Sequence, residues 1–264
     1  MTPAVNCTVI KYGGNALAGA TDADAAVQFA SDVVQLHKDG QQPVVVHGGG
    51  PQISELMAQR GKQPEFRRGL RVTDAETIDI VRTALMELVN PRLVAAINAE
   101  SPLAIGLSGE DLIHASARDP ELGYVGDVAG IDASLLRDLL DKGLIPVVAP
   151  LGSDADGQTY NINADTVAGA IAASLGAQRL VYLTDIEGLR RDVSDATSLI
   201  RGTTADELAS MLADGTIADG MIPKIQSCID AVRAGVTQAH ILDGRVPHAL
   251  LTLFGQELIG TVVR

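Results

Sequence analysis

The sequence is poor in aromatic residues: its 264 residues include no Trp, and aromatics make up 3%. The core therefore has to be built mainly from aliphatic side chains, within a hydrophobic content of 46%. Two cysteines occur, Cys7 and Cys228, and their separation fits neither a metal motif nor a redox motif. We expect both thiols to be reduced and buried as small apolar residues, as in a cytoplasmic protein.

Positive charge is also scarce, since 20 Lys and Arg face 33 Asp and Glu, for a net charge of −13. Such a field repels phosphate backbones, so we expect no nucleic-acid partner. No stretch reaches the roughly 18 apolar residues of a membrane span, and Lys11 interrupts the first apolar run where a signal peptide would need its apolar core. We expect no membrane partner, and any anionic substrate needs a local group of cations and N–H donors.

Several familiar catalytic motifs are missing. The chain has no GxxxxGK[ST] phosphate loop, no GxGxxG after its first strand, no HExxH and no GxSxG. Its five histidines are scattered without zinc-like spacing. The sequence therefore gives no support to a phosphate-loop NTPase, a dinucleotide dehydrogenase, a zinc hydrolase or a serine hydrolase.

Short apolar runs alternate with helical patterns along nearly the whole chain, which predicts an α/β fold with a mainly parallel central sheet covered by helices on both faces. The predicted strands are Cys7–Tyr12, Pro43–Gly48, Leu103–Ser108, Leu144–Pro150, Arg179–Asp185 and Gln238–Gly244. The predicted helices include Asp24–Gly40, Ser134–Gly143 and Thr203–Gly215, and Gly152–Gln158 is predicted to be a hairpin turn.

Two helix starts fit the capping box, in which a hydroxyl and a carboxylate stand three residues apart: Thr73 with Glu76, and Thr204 with Glu207. After the first, one apolar stripe follows at helical spacing. It is either core or a subunit contact, and consists of Ile78, Val81, Leu85 and Leu88.

Three consecutive glycines, Gly48 to Gly50, stand between an apolar run and Pro51 at a predicted strand-to-helix joint. Glycine costs conformational entropy, so bare backbone is expected to serve a purpose there. Exposed N–H groups at a helix start favour an anion. The alternative is a tight turn that binds no ligand.

Other glycine-rich joints carry a charged or amide residue. In KYGGNAL, Lys11 lies near the end of a strand, where it either meets a partner or extends to solvent. In RRGLRVTD, Arg71 and its neighbouring arginines could grip a carboxylate or form a solvated turn. In NINAD, Asn163 or Asp165 is expected to cap a helix. In DGMIPK, Lys224 near a helix start opposes the helix dipole, which suggests an anion nearby.

Lysines, many N–H donors and no candidate general base suit phosphoryl transfer, which depends on positioning and charge neutralisation. A carboxylate acceptor is already deprotonated at neutral pH and needs no base. The motifs above, with HGGGPQI, GLRVTDAET, GLSGED, LTDIEGL and HILDGRVPH in this order, resemble the amino acid kinase superfamily and, within it, the acetylglutamate kinases of arginine biosynthesis.

The resemblance covers essentially the whole chain and implies an open αβα sandwich of two lobes. Residues 1–176 would bind the acceptor, N-acetyl-L-glutamate, and form the dimer, while residues 177–264 would bind ATP. The γ-phosphoryl group would pass to the side-chain carboxylate of the acceptor. Mg²⁺ would be held mainly by the phosphates, with no dedicated protein ligand.

The resemblance also implies residue roles. Lys11 and Lys224 would neutralise the transferring group from opposite sides, and Asp165 would hold both lysines. The implied acceptor-binding residues are Gly49, Gly50, Arg71, Asn161 and Asn163. The implied ATP-binding residues are Gly13, Gly14, Asp185, Ile186, Gly188, Leu189 and Ile217.

Two rival functions are compatible with the resemblance. A sister kinase acts on a carrier-bound aminoadipate in lysine biosynthesis, and a nucleotide sensor could use the same fold without catalysis. In the family, feedback-inhibited enzymes are hexamers linked by a helix ahead of the first strand. Because only ten residues precede Lys11, we expect a homodimer that arginine does not inhibit.

Overall fold

The computed structural model of the chain describes residues 6–13, 22–99, 101–192, 194–217, 221–255 and 259–264. The strands are β1 (Cys7–Tyr12), β2 (Gln42–His47), β3 (Phe66–Arg67), β4 (Leu70–Arg71), β5 (Ala104–Ser108), β6 (Ile113–Ala117), β7 (Val125–Ile131), β8 (Ile145–Ala149), β9 (Leu151–Ser153), β10 (Thr159–Ile162), β11 (Arg179–Thr184), β12 (Gly202–Thr203), β13 (Gln238–Asp243) and β14 (Thr261–Val263). The helices are α1 (Asp22–Lys38), α2 (Gly50–Gln59), α3 (Ala75–Thr83), α4 (Asn90–Ile97), α5 (Ser134–Asp141), α6 (Ala164–Leu175), α7 (Ala205–Ala213) and α8 (Ile222–Arg233).

The central sheet has eight strands in the order β12-β14-β13-β11-β1-β2-β8-β5. Its neighbouring strands are parallel except β13 and β14, which are antiparallel. The predicted apolar runs form its six longer strands, and their bounds differ from the predicted ones by at most one residue at either end. The predicted mainly parallel sheet is therefore confirmed.

Helices cover both faces of this sheet because successive side chains of a strand point to opposite sides. On β1, Val9 packs in the cluster that includes Leu136, Ile171 and Ile225 of the helices α5, α6 and α8. Its neighbour Ile10 packs in the opposite cluster, with the apolar side chains of α1 and α4. The predicted αβα sandwich is confirmed.

A small closed barrel of β10-β7-β6-β9 was not predicted. Because β9 follows β8 after Pro150 alone, and β6 follows β5 after a short helical turn, the barrel continues from the carboxyl ends of sheet strands. β9 and β10 are antiparallel, which confirms the predicted hairpin turn at 152–158. A second hairpin, β3–β4, turns through Arg68 and Gly69, whose φ values of 51° and 77° fit the positive φ of a type I′ turn.

The second capping box is confirmed, since Thr204 and Glu207 exchange side-chain-to-backbone hydrogen bonds at the start of α7. The first is wrong. Asp74 is the N-cap of α3 and accepts from the Thr77 N–H at 2.8 Å, while the Thr73 hydroxyl donates to the Arg71 carbonyl. A carboxylate one residue later simply caps the helix in place of the hydroxyl.

The apolar stripe after α3 does not continue as regular helix, because residues 84–89 form a π-helical segment that leads into α4. Three of its members, Ile78, Val81 and Leu85, are buried in the chain, whereas Leu88 is 43% exposed. Most of the stripe is therefore core.

Within the described residues, every helix is too short or too polar to cross a lipid bilayer.

Candidate active site

The candidate site lies at the carboxyl edge of the central sheet, where ligands bind in open α/β folds. β1 and β2 are aligned so that Lys11 lies beside Val46 and Tyr12 beside His47. The Gly48 N–H donates to the Tyr12 carbonyl at 2.8 Å, which holds the three glycines Gly48 to Gly50, hereafter the glycine joint, against the end of β1. The last residues of β1 and β2 therefore lie side by side at the carboxyl edge of the sheet.

Asp165 enters this edge from the first turn of α6. Asn163 is the N-cap of that helix and accepts from the backbone N–H groups of Asp165 and Thr166 at 2.9 and 3.2 Å. This confirms the predicted cap. The Ser227 hydroxyl of α8 donates to the Asp165 carbonyl at 2.8 Å and accepts from the Tyr182 hydroxyl at 2.6 Å. The backbone beneath the carboxylate is thus fixed from two sides.

Asp165 brings the two predicted lysines together. Lys224 donates to its Oδ2 at 2.8 Å, and the Nζ of Lys11 lies 3.1 Å from its Oδ1. The ammonium of Lys224 also lies 4.6 Å from the ring centroid of Tyr182, a cation–π contact. The three side chains that meet here are between 8% and 14% exposed. Lys11, Asp165 and Lys224 therefore form one nearly buried cluster, hereafter the lysine cluster.

The lysine cluster carries an excess of one positive charge. Burial alone raises the pKa of Asp165, but the charges of Lys11 and Lys224 reverse this and hold its pKa at about 2. Burial lowers the pKa of Lys224, and the charge of Asp165 opposes that effect. Two cations around one carboxylate leave a buried charge that an anion would neutralise. The chain as a whole has a net charge of −13 and repels anions, so this local positive charge would attract an anion to the lysine cluster specifically.

The glycine joint supplies N–H donors beside the lysine cluster. Gly50 begins α2, and within the described residues nothing lies within 4 Å of the place where a Cβ on it would stand. We expected ligand approach to explain Gly49 as well, but a Cβ there would lie 2.5 Å from the Leu85 Cδ2 atom. Close packing against the π-helical segment therefore explains Gly49, whereas Gly50 faces open space.

Arg71 is 7% exposed and lies beside the start of α2. Its guanidinium donates to the Gly50 carbonyl at 3.2 Å and to the Ser54 hydroxyl at 2.9 Å, and stacks on the Phe66 ring. No carboxylate in the described ranges forms an ion pair with it. Burial without a counter-ion lowers the pKa of Arg71. A buried arginine held by neutral groups is prepared to receive an anionic group.

Asn161 lies on β10 near this arginine. Its amide donates to the Thr73 hydroxyl at 3.2 Å, and the same hydroxyl donates to the Arg71 carbonyl at 2.8 Å. Thr73 therefore couples the two predicted acceptor-binding residues. The sequence did not predict a role in the site for Ser54 or Thr73, although Thr73 lies within GLRVTDAET and Ser54 directly follows HGGGPQI.

The predicted nucleotide residues of the C-terminal part meet in a second place. Asp185, Ile186, Gly188, Leu189 and Ile217 all line one cavity of about 340 Å³. Arg245, Thr216 and Met221 line it too and were not predicted. Arg245 is fixed by Asp243, which accepts from its guanidinium at 2.9 and 2.8 Å.

The two remaining predicted nucleotide residues lie elsewhere. Gly13 packs on the glycine joint, since a Cβ on it would lie 2.9 Å from the Gly48 nitrogen. It does not line the cavity described above. Gly14 lies outside the described residues.

A larger cavity of about 860 Å³ opens between the β3–β4 hairpin, β7 and the helices α6 and α8. Asn163 and Ser227 line one side of it, so it adjoins the base of the lysine cluster. The sequence does not predict this cavity, because its lining comes from five separate stretches of the chain.

Comparison with known proteins agrees with this geometry. The sequence profile of the amino acid kinase family matches residues 6–243. The chain belongs to this family.

Relatives within the amino acid kinase family are similar along nearly their whole length. An acetylglutamate kinase from Symbiobacterium thermophilum is 48% identical over 267 residues, which cover 97% of this chain and 90% of that protein. An acetylglutamate kinase from Jannaschia sp. is 49% identical over 259 residues, covering 97% and 89%. Among solved structures, carbamate kinase from Giardia lamblia bound to AMP-PNP has a TM-score of 0.75 at 19% identity, covering 100% and 99%, which shows a shared fold.

Proposed function

We propose that this protein transfers the γ-phosphoryl group of ATP to the side-chain carboxylate of N-acetyl-L-glutamate, in arginine biosynthesis. The observation that carries the proposal is the lysine cluster, in which two buried lysines share the carboxylate of Asp165 at the carboxyl edge of the sheet. The names of the similar family members supply the acceptor. The products would be an acyl phosphate and ADP.

The lysine cluster would stabilise the negative charge that develops during transfer of the phosphoryl group. As the bond to the leaving oxygen of ADP breaks, negative charge spreads over the phosphoryl oxygens and the leaving group. Lys11 and Lys224 would neutralise this charge, and Asp165 would keep their ammonium groups in place. The acceptor carboxylate attacks in its deprotonated form, so the reaction needs no general base.

The acceptor would bind between the glycine joint and Arg71. The guanidinium, which lacks a carboxylate partner in the described residues, would pair with the α-carboxylate of the substrate. Asn161 would contact its neighbouring polar groups, and the N–H groups of Gly49 and Gly50 would donate to the attacking carboxylate or to the phosphoryl group. Asn163 would act through its cap on α6, which fixes Asp165.

ATP would occupy the cavity lined by Asp185 to Leu189 and Ile217. Magnesium would be held mainly by phosphate oxygens, where it would offset their charge. Within the described ranges, no three His, Cys, Asp or Glu side chains are grouped as a metal site. Acceptor residues in 1–176 and this cavity in 177–264 fit the proposed division into two lobes.

A cytoplasmic homodimer is the assembly that we propose. Of the apolar stripe only Leu88 offers an exposed side chain, so other residues of the N-terminal part have to provide most of the paired surface. Light scattering of the unmodified protein tests the dimer, and a hexameric mass would contradict it. The same measurement across an arginine titration, run beside the kinase assay, tests the predicted insensitivity to arginine.

The proposed reaction is tested by trapping the acyl phosphate with hydroxylamine in the presence of MgATP. The panel contains N-acetyl-L-glutamate, glutamate, aspartate and an N-acylated aminoadipate. We expect hydroxamate with N-acetyl-L-glutamate far above the others. Preference for the aminoadipate derivative would support the lysine-biosynthesis rival, and ATP binding without any hydroxamate would support the sensor.

A further inference from the structure

His47 is a buried polar residue opposite Tyr12 of β1, and the proposed reaction leaves it without a role. It ends β2, its exposure is 0%, and it directly precedes the glycine joint. Its Nδ1 lies 2.8 Å from the Gly48 carbonyl oxygen, and its Nε2 lies 3.1 Å from the Asn90 amide nitrogen. Both ring nitrogens therefore have a partner.

The partners determine where the imidazole carries its proton. The Asn90 amide nitrogen also lies 2.9 Å from the Val147 carbonyl, which can only accept, so that side-chain atom has to be the donor nitrogen. Its second hydrogen then points to Nε2 of His47, which has to accept. Nδ1 consequently carries the proton and donates to the Gly48 carbonyl. Burial lowers the pKa of His47 to about 4, in agreement with a neutral ring.

Holding this carbonyl also sets the direction of the next N–H group. In a trans peptide the carbonyl of one residue and the N–H of the next point in opposite directions. When His47 draws the Gly48 oxygen toward the protein interior, the Gly49 N–H is turned away from it. Gly48 packs on Gly13, whose Cβ position would lie 3.4 Å from a methylene of Lys11, so this peptide borders the lysine cluster.

The support behind His47 is rigid. Asn90 begins α4 directly after the π-helical segment, and such segments are frequent at functional sites. Gly106 on β5 leaves no room for a Cβ because the Asn90 side-chain oxygen occupies that place. On the other side, Leu85 of the π-helical segment packs against Gly49. The path from Gly106 through Asn90 to His47 therefore fixes one peptide of the joint.

We propose that His47 is a positioning residue: its Nδ1–H holds the Gly48 carbonyl so that the Gly49 N–H faces the phosphoryl group in transfer. The role rests on the proposed kinase function. A preorganised donor of this kind acts mainly in the transition state. Loss of the hydrogen bond should therefore lower kcat more than it changes KM for either substrate.

Two variants of His47 distinguish the effect of a donor at the Nδ1 position from the effect of side-chain volume. The amide nitrogen of Asn stands the same number of bonds from Cα as Nδ1, whereas that of Gln matches Nε2. We expect His47→Asn to keep kcat within about 5-fold and His47→Gln to lose about 10²-fold, by the magnitude of one lost donor. His240 is a matched control, since it is a histidine with 2% exposure in the middle of β13. His240→Gln should leave kcat unchanged.

Equal losses in both His47 variants, or none in either, would overturn the proposal, as would a greater loss in His47→Asn. Thermal melts show whether a variant is folded. Nitrogen NMR of the unmodified protein labelled in histidine gives a readout that does not depend on activity, with the His47 signal assigned from its absence in a variant or, if neither variant folds, from through-bond backbone correlations. We expect the neutral Nδ1–H tautomer at pH 7, and an Nε2–H tautomer or a cation would overturn the proposal. A chain without kinase activity would instead refute the proposed function, while the spectrum still decides the hydrogen bond.

Discussion

Lys224 donates to Oδ2 of Asp165 across 2.8 Å, and the other carboxylate oxygen faces Lys11 at 3.1 Å. The Lys224 contact joins the start of α8 to the start of α6, two helices that each begin at the carboxyl edge of the sheet. A cation in the first turn of a helix opposes the helix dipole. The carboxylate of Asp165 offsets this, so the arrangement keeps a positive group at a place where an anion is otherwise preferred.

Removal of Lys224 should therefore affect the chemical step. Lys224→Ala leaves Asp165 paired with Lys11 alone, so the cluster loses its excess positive charge. We expect kcat to fall by about 10²-fold or more, with a smaller change in KM for ATP. Steady-state kinetics with each substrate varied in turn measure kcat and both KM values. Lys142→Ala is the control, since Lys142 is exposed and follows α5. A nearly normal kcat with a raised KM for ATP would mean that Lys224 contributes only uniform binding.

Arg71 should govern binding of the acceptor. Arg71→Ala removes the charged partner of the substrate carboxylate, and we expect KM for N-acetyl-L-glutamate to rise about 10- to 10²-fold. KM for ATP should change little, because the nucleotide cavity is lined by other parts of the chain. Arg67→Ala is a control on the same hairpin, since Arg67 is exposed and pairs with Glu65 and Glu121. Equal effects on both substrates would place Arg71 outside the acceptor site.

The sequence predicted the central sheet well because its strands are long apolar runs covered on both faces. It did not predict the small barrel. β6 reads IHASA and β7 reads VGDVAGI, so small and polar residues dilute the apolar pattern, and the register shifts between His114 and Ala115. Closure of the barrel depends on contacts between residues far apart in the chain, and a local sequence pattern carries no information about such contacts.

The candidate site was likewise predicted only in part from the sequence. Lys11, Asp165 and Lys224 belong to predicted motifs more than fifty residues apart, and the structure brings them together. The His47–Asn90 contact was missed because neither residue breaks a local rule: a histidine ends a strand and an asparagine begins a helix. Only the tertiary contact between β2 and α4 reveals the pair.

The nucleotide cavity depends on a glycine with an unusual backbone. Gly188 has a φ of 148°, and a Cβ on it would lie 2.8 Å from the Thr261 hydroxyl, which accepts from the Leu189 N–H. Gly188→Ala should therefore distort this loop at a cost of about 1–3 kcal/mol. We expect KM for ATP to rise about 10-fold or more while KM for the acceptor stays similar. Gly202→Ala is the control, since its Cβ would come no nearer than 3.7 Å to Val262.

If KM for ATP is unchanged in Gly188→Ala while the protein remains folded, the cavity lined by this loop is not the nucleotide site.

The two buried histidines should make the fold sensitive to mild acid. Burial lowers the pKa of His47 to about 4, and burial together with the charges of Arg179 and Arg264 lowers that of His240 to about 4. In the unfolded chain both rings titrate near 6.5, so between these values the unfolded state binds more protons. Their contribution to stability is therefore complete above about pH 6.5 and is lost progressively as the pH falls toward 4.

His240→Gln isolates one of these contributions without touching the lysine cluster. Between pH 6.5 and 5, the free energy of unfolding of the unmodified protein should fall by about 1–2 kcal/mol more than that of the variant. Urea unfolding at several pH values down to 5 measures the difference, because the carboxylates whose pKa is held near 2, such as Asp165 and Asp74, titrate only in stronger acid. Parallel stability curves for the two proteins would mean that His240 is already protonated in the folded chain or that its ring remains neutral in both states. Either result would remove His240 as a cause of acid sensitivity.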